Sequence, residues 1–213
     1  MRALSRGLNQ FMTVLYHPNM TGLHGHIMSD FLAPFVQLVN EVTSTVDEPS
    51  EIIQRCAPAL SQLITSQPEE VARFVEGLSW PEPSAEMYHR ERVREARDGS
   101  WSLYAITWLE GQATPIHDHG TWGVVGVLSG ALAEHMMHRV DGGDGDEGVE
   151  LIPAGVCILQ PGSVNTFMAE PDHIHRSGPL AGATASLHLY GRLMTSYNMY
   201  DLETKRRVPL PVE

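Results

Sequence analysis

The chain has 213 residues, an apolar fraction of 42% and a formal charge of −12. That length suits one domain with a substantial core. No apolar run approaches the length of a membrane span, and the acidic balance argues against nucleic acid or an anionic membrane as partner. Cys56 and Cys157 are the only cysteines, too few for a disulfide framework, so a soluble protein in a reducing, cytoplasmic compartment is expected.

Residues 1–27 lack periodicity and contain Pro18, Gly22 and Gly25, which predicts a disordered or loosely attached arm. Their apolar stretch at 11–16 is too short and interrupted for a signal peptide. The patterned sequence, and with it the expected biological start, begins at Met28. Ser29 or Asp30 can cap a helix whose positions Phe31, Phe35, Leu38, Val39 and Val42 share one face. Two further amphipathic stretches, 51–65 and 69–78, complete a helical region that Pro81 and Pro83 end.

From residue 85 the character changes. Short segments rich in β-branched and aromatic residues alternate with glycine-containing turns: 88–95, 101–109, 123–128, 131–140, 150–159, 164–168 and 185–189. This is the pattern of an antiparallel sandwich or barrel. The organisation predicted is a single domain over 28–205, helical at 28–80 and a β-barrel at 85–205, followed by a C-terminal tail at 206–213. The acidic loop 141–148 lacks the ligand spacing and closing glutamate of a calcium loop, so it is expected to be a solvated hairpin tip.

The stretch 111–123, GQATPIHDHGTWG, holds the chemistry. Residues two apart on a strand face the same side, roughly 7 Å apart at the backbone, so His117 and His119 can send both imidazoles to one ion while Asp118 points away. Glycine, five residues, His-x-His and a later glycine resemble the first motif of the cupin superfamily, a mainly β jelly-roll barrel. That motif supplies a glutamate three or four residues after the second histidine; Gly123 and Val124 stand there instead. A third neutral ligand is then expected from a second motif that starts at Gly155 and continues to His173, His175 and Arg176. Three neutral histidines leave a divalent charge uncompensated, which attracts an anionic ligand such as a thiolate. Ligand type alone leaves zinc open as well.

Trp108-x-Glu-Gly111, Pro115-Ile-His117-Asp-His119, Ile174-His175-Arg176 and Ser186-Leu-His188-Leu-Tyr190 together resemble the thiol dioxygenases, cysteine dioxygenase and its bacterial 3-mercaptopropionate relatives, over about residues 85–205. The resemblance implies Fe(II) held by His117, His119 and His175, with O₂ and a small thiol as partners and a sulfinic acid as product. His173 remains the rival third ligand. Ser186, His188 and Tyr190 share one strand face; the resemblance makes them a relay with Tyr190 at the substrate, whereas without it they are a polar ladder satisfying itself. No acid is placed to complete a serine-hydrolase line. Animal enzymes carry a cysteine where Gly123 stands and link it to the tyrosine, so no such crosslink is expected here.

Cysteine dioxygenases also place an arginine two residues after a tyrosine on the strand before the metal motif; Tyr88 and Arg90 resemble this pattern with a one-residue insertion before Trp108, which implies Arg90 as carboxylate clamp. Arg90, Arg92 and Arg94 alternating with Glu91 and Glu95 could equally form an ordinary charged strand. The 3-mercaptopropionate enzymes use an arginine just before the Ser-x-His-x-Tyr run, and 181–184 contains none. Cysteine is therefore the expected substrate, 3-mercaptopropionate or another small thiol carboxylate the alternative, and a metal-dependent isomerase or small-ligand sensor the further alternative. A monomer or small homo-oligomer is expected.

Overall fold

A computed structural model describes residues 24–212 apart from 86, 144 and 170–172, with side chains from 31 onward. Three helices come first, α1 (His24–Thr45), α2 (Pro49–Ser66) and α3 (Pro68–Glu76). Pro49 and Pro68 sit at first helical positions, where a missing N–H costs nothing. In α2, Ile52, Ile53, Cys56, Leu60, Leu63 and Ile64 are buried at helical spacing. The first helix starts at His24, not at Ser29 or Asp30, so residues 24–27 are helical rather than part of an arm; the remainder of that segment, 1–23, lies outside the described residues. Once Phe31 and Leu32 are packed, extending the helix backward adds one hydrogen bond per residue, and Gly25 costs only about 1 kcal/mol.

Eleven strands follow: β1 (His89–Glu95), β2 (Ser102–Trp108), β3 (His117–Asp118), β4 (Gly123–Ser129), β5 (Leu132–Arg139), β6 (Leu151–Leu159), β7 (Val164–Phe167), β8 (Ile174–Pro179), β9 (Thr184–Tyr190), β10 (Ser196–Asp201) and β11 (Arg206–Pro211). They form two sheets, β1-β2-β9-β4-β7 and β11-β10-β3-β8-β5-β6, with antiparallel pairing throughout. The orders 2-9-4-7 and 3-8-5-6 are those of a jelly roll, two Greek keys closed face to face. The fold is thus mainly β, a cupin-type barrel preceded by a small helical region.

Leu103, Ala105, Val124, Ala185, Leu187 and Leu189 of the first sheet join the helices in one core, while the alternate residues face the barrel interior. Gly126 lets α2 approach: a Cβ there would stand 2.8 Å from Leu60 and Ile64. Trp101 Nε1 donates to Asn40 Oδ1 at 3.1 Å, tying barrel to helix.

Residues 206–211, predicted as tail, are instead β11, a hairpin partner of β10 that extends the second sheet. Its ladder with β10 supplies the backbone pairing. Its basic end meets the acidic loop through Lys205–Glu150, Arg206–Glu147 and Arg207–Asp146, and Arg139 grips Asp141 through two nitrogens at 2.8 and 2.9 Å. The hairpin tip is therefore charge-paired as well as solvated.

Candidate metal centre

The barrel architecture explains how distant residues meet. His117 on β3 lies directly across from His175 on β8, and His119 follows two residues on. The three imidazoles converge with all ligand atoms within 4.8 Å of one another, and all three are buried. His117 Nε2 and His119 Nε2 are 3.1 Å apart, the separation expected of neighbouring ligands on an ion with bonds of about 2.0–2.1 Å. His117 Nδ1–H donates to the Pro115 carbonyl at 3.0 Å, which leaves the Nε2 lone pair free to ligate. His175 Nε2 is buried with no hydrogen-bond partner among the described residues, as an atom reserved for an ion should be. Burial holds His117 down to about 4 and His119 and His175 well below the usual imidazole range, with neighbouring histidines reinforcing the latter two. Neutral imidazole is the form that binds metal, so the three residues fit a divalent ion.

Asp118, as the alternation requires, faces the other way. It accepts from Asn198 Nδ2 at 3.0 and 3.2 Å and from the Tyr200 hydroxyl at 2.7 Å, fastening β10 to β3. This places Tyr197 at the edge of His117, ring centroids 5.8 Å apart.

The opposite wall is β9. Trp108 Nε1–H donates to Ser186 Oγ at 3.3 Å, Ser186 Oγ lies 2.9 Å from His188 Nε2, and the Tyr190 hydroxyl is 3.3 Å from His188 Nδ1 and 3.4 Å from His119 Nε2. Burial pushes His188 down to about 3 and raises the Tyr190 phenol well above its ordinary value. The row is thus a polar ladder, and its last hydroxyl stands against the metal cluster.

Arg90 lines the same cavity, with Tyr88, Tyr197 and Met194; its guanidinium carbon sits 5.4 Å from the Tyr104 ring centroid. Other arginines of the barrel make the following contacts. Arg92 pairs with Glu95 at the surface, Arg94 reaches the Val93 carbonyl, and Arg192 donates to the carbonyls of His119 and Ser196 at 2.8 and 2.9 Å. Arg176 is exposed. The cavity is narrow, about 30 Å³, room for the centres of one or two waters.

His173 does not join the first triad. Its ring stacks on Phe167 at 4.2 Å and 4°, with neither nitrogen hydrogen-bonded among the described residues, and it groups instead with Glu134 and His175. Three residues around the centre were not anticipated. Phe167 stacks on His119 at 4.9 Å, and a Cβ at Gly123 would run into its ring: the space where a motif glutamate would project is filled by phenylalanine. Glu134 is fully buried, its carboxyl raised by burial, and accepts from Asn165. Ser177 Oγ touches His175 Nδ1 at 3.2 Å. For Glu134 a signal existed, since it shares the inward face of β5 with Leu132; for Phe167 there was none.

No known protein-family profile matches the chain. Among solved structures, it is similar to a protein from Thermus thermophilus (17% identity, TM-score 0.41, covering 55% of this chain and 93% of that one). It is also similar to a cupin superfamily protein from Desulfitobacterium hafniense (11%, 0.39, 55% and 85%) and to an uncharacterized conserved protein with a double-stranded beta-helix domain from Klebsiella pneumoniae (14%, 0.42, 56% and 84%). The fold assignment rests on the strand order itself. No described helix is long and apolar enough to cross a membrane.

Proposed function

We propose that this chain is a mononuclear non-haem iron dioxygenase that adds both atoms of O₂ to the sulfur of a small thiol carboxylate, cysteine by preference. The observation that carries the reading is a single small cavity lined by His117, His119 and His175, by Arg90 and by Tyr190. The three histidines would hold Fe(II). When bound, iron supplies the redox chemistry for joining dioxygen to sulfur, and its double charge, uncompensated by neutral imidazoles, favours an anionic sulfur. The overall balance closes without a further reductant: sulfur loses four electrons, O₂ gains them, and both oxygens remain in the sulfinate.

The chain's own residues account for the rest. Arg90 offers a planar fork for the substrate carboxylate, and its place on β1 resembles, apart from a one-residue insertion, that of the arginine in cysteine enzymes, which favours cysteine over 3-mercaptopropionate. Tyr190, held by His188, presents a protonated hydroxyl beside His119, able to donate a hydrogen bond where oxygen anion character develops. Ser186 and Trp108 fix the His188 ring. Trp108, Ile106 and Met194 add apolar lining beside these groups.

Metal analysis of purified protein, followed by oxygen consumption with cysteine, 3-mercaptopropionate and cysteamine in wild type and Arg90→Ala, tests this. About one iron per chain is expected, with cysteine preferred. Cysteamine lacks the carboxylate, so the cysteine-to-cysteamine ratio should fall about tenfold to a hundredfold in Arg90→Ala, as for loss of a charge-assisted contact of roughly 1.5–3 kcal/mol. An unchanged ratio removes Arg90 as the clamp. Faster oxidation of 3-mercaptopropionate changes the substrate and keeps the chemistry; bound zinc with no thiol oxidation overturns the function.

A further inference from the structure

Glu134 is the one described residue close to the triad that combines full burial, a formal charge and an unused oxygen. It lies on β5, 0% exposed, opposite Ser177 of β8, and so projects beside His175. One oxygen, Oε2, accepts from Asn165 Nδ2. The other, Oε1, has no hydrogen bond among the described residues and stands 3.7 Å from His175 Nδ1. A buried carboxylate with one oxygen satisfied is costly and calls for a reason. His175 supplies one: with Nε2 directed to an ion, its Nδ1 carries the proton, meets Ser177 Oγ at 3.2 Å, and has the Glu134 carboxylate as the negative charge behind it. At His117 the Pro115 carbonyl stands in the corresponding place.

We infer that Glu134 is a positioning residue of the metal centre, its carboxylate 3.7 Å behind the Ser177-bonded Nδ1 of His175, where its negative charge orients and strengthens that ligand. This rests on the three-histidine centre proposed above and is independent of the thiol chemistry. It gives a ligand set with no negative charge of its own a carboxylate one residue removed. Carboxylates placed behind ligating histidines act in this way, and their loss costs about ten- to a hundredfold in metal affinity.

Glu134, His173 and His175 also lie within 4.8 Å of one another and could bind an ion directly; the experiment separates the two. Apo-protein is titrated with Fe(II) and with Co(II) against a competing chelator for wild type, Glu134→Gln, Glu134→Asp and His173→Gln, and the Fe(III)/Fe(II) midpoint potential is recorded. Glu134→Gln should weaken affinity about ten- to a hundredfold and raise the potential, because a negative charge that favours the ferric ion is gone. Glu134→Asp keeps the charge and should recover part of both, which a packing role does not predict. His173→Gln should leave both at wild-type values. Glu134→Gln with wild-type affinity and potential overturns the inference, and so does a loss of metal in His173→Gln equal to that in Glu134→Gln, which would mark a second ligand set. Failure of the three-histidine centre is distinguishable, since His117→Ala and His119→Ala would then bind metal as tightly as the unmutated chain, or the unmutated chain would bind none.

Discussion

β9 is buried along its whole length, whereas β6 exposes Ile152, Val156 and Ile158. The contrast extends to the sheets they belong to. The first carries helices on its outer face and turns Arg90, Ser186, His188 and Tyr190 inward; the second contributes His117 and His175 and keeps much of its outer surface in water. One wall of the cavity gathers lone pairs suited to a cation, and the other gathers groups suited to an anion and a proton. The jelly roll brings these chemistries together because the chain crosses between the sheets from β2 to β5 and again from β6 to β10, so neither wall needs residues that conflict with its neighbours.

If that division of labour holds, the walls should fail in different ways. The largest effect belongs to the ligand wall: His117→Ala, His119→Ala or His175→Ala should abolish both iron content and thiol oxidation, while His173→Ala keeps both, measured by metal analysis and oxygen uptake. Iron retained in His175→Ala but lost in His173→Ala would move the third ligand. On the facing wall, Tyr190→Phe should keep iron and fold while turnover falls about ten- to a hundredfold, equivalent to about 1.4–2.7 kcal/mol in the barrier; unchanged turnover would reduce the β9 row to a structural ladder. The smallest effect sits behind that wall. Asn40→Ala leaves the Trp101 N–H without its acceptor and should cost about 1 kcal/mol of stability, a drop of roughly 2–4 °C in Tm for a chain of this size. Iron content should not change, and a loss of iron would show the helices to be part of the centre.

The features legible in sequence were the local ones. His-x-His on a strand and the Ser-x-His-x-Tyr row are spacing rules, and the alternation that puts Asp118 outward is the same rule applied once more. Arg90 was separable from Arg92 and Arg94 only by its family position, because alternate residues on β1 all satisfy the same pattern. What escaped depends on contacts between segments distant in the chain. Gly123 shows a missing glutamate, yet nothing local shows that Phe167, 44 positions later, fills the space. The pairing of β11 with β10 escaped for the same reason: the basic run at 205–207 acquires its partners only when the acidic loop folds back beside it. For the third ligand the resemblance named His175 with His173 as rival, and what spacing alone could not supply is the register, which sets His175 opposite His117.

Gly123 lies directly across from Tyr190 in the β4–β9 ladder, and a glycine has no sulfur with which to bond a neighbouring ring. Cys157 sits on the far sheet, across from Glu134. The tyrosine therefore stays an ordinary phenol throughout the protein's life. Preparations should be chemically uniform, a single mass without mixed matured and unmatured forms, and activity should track metal loading from the first turnover without a priming lag.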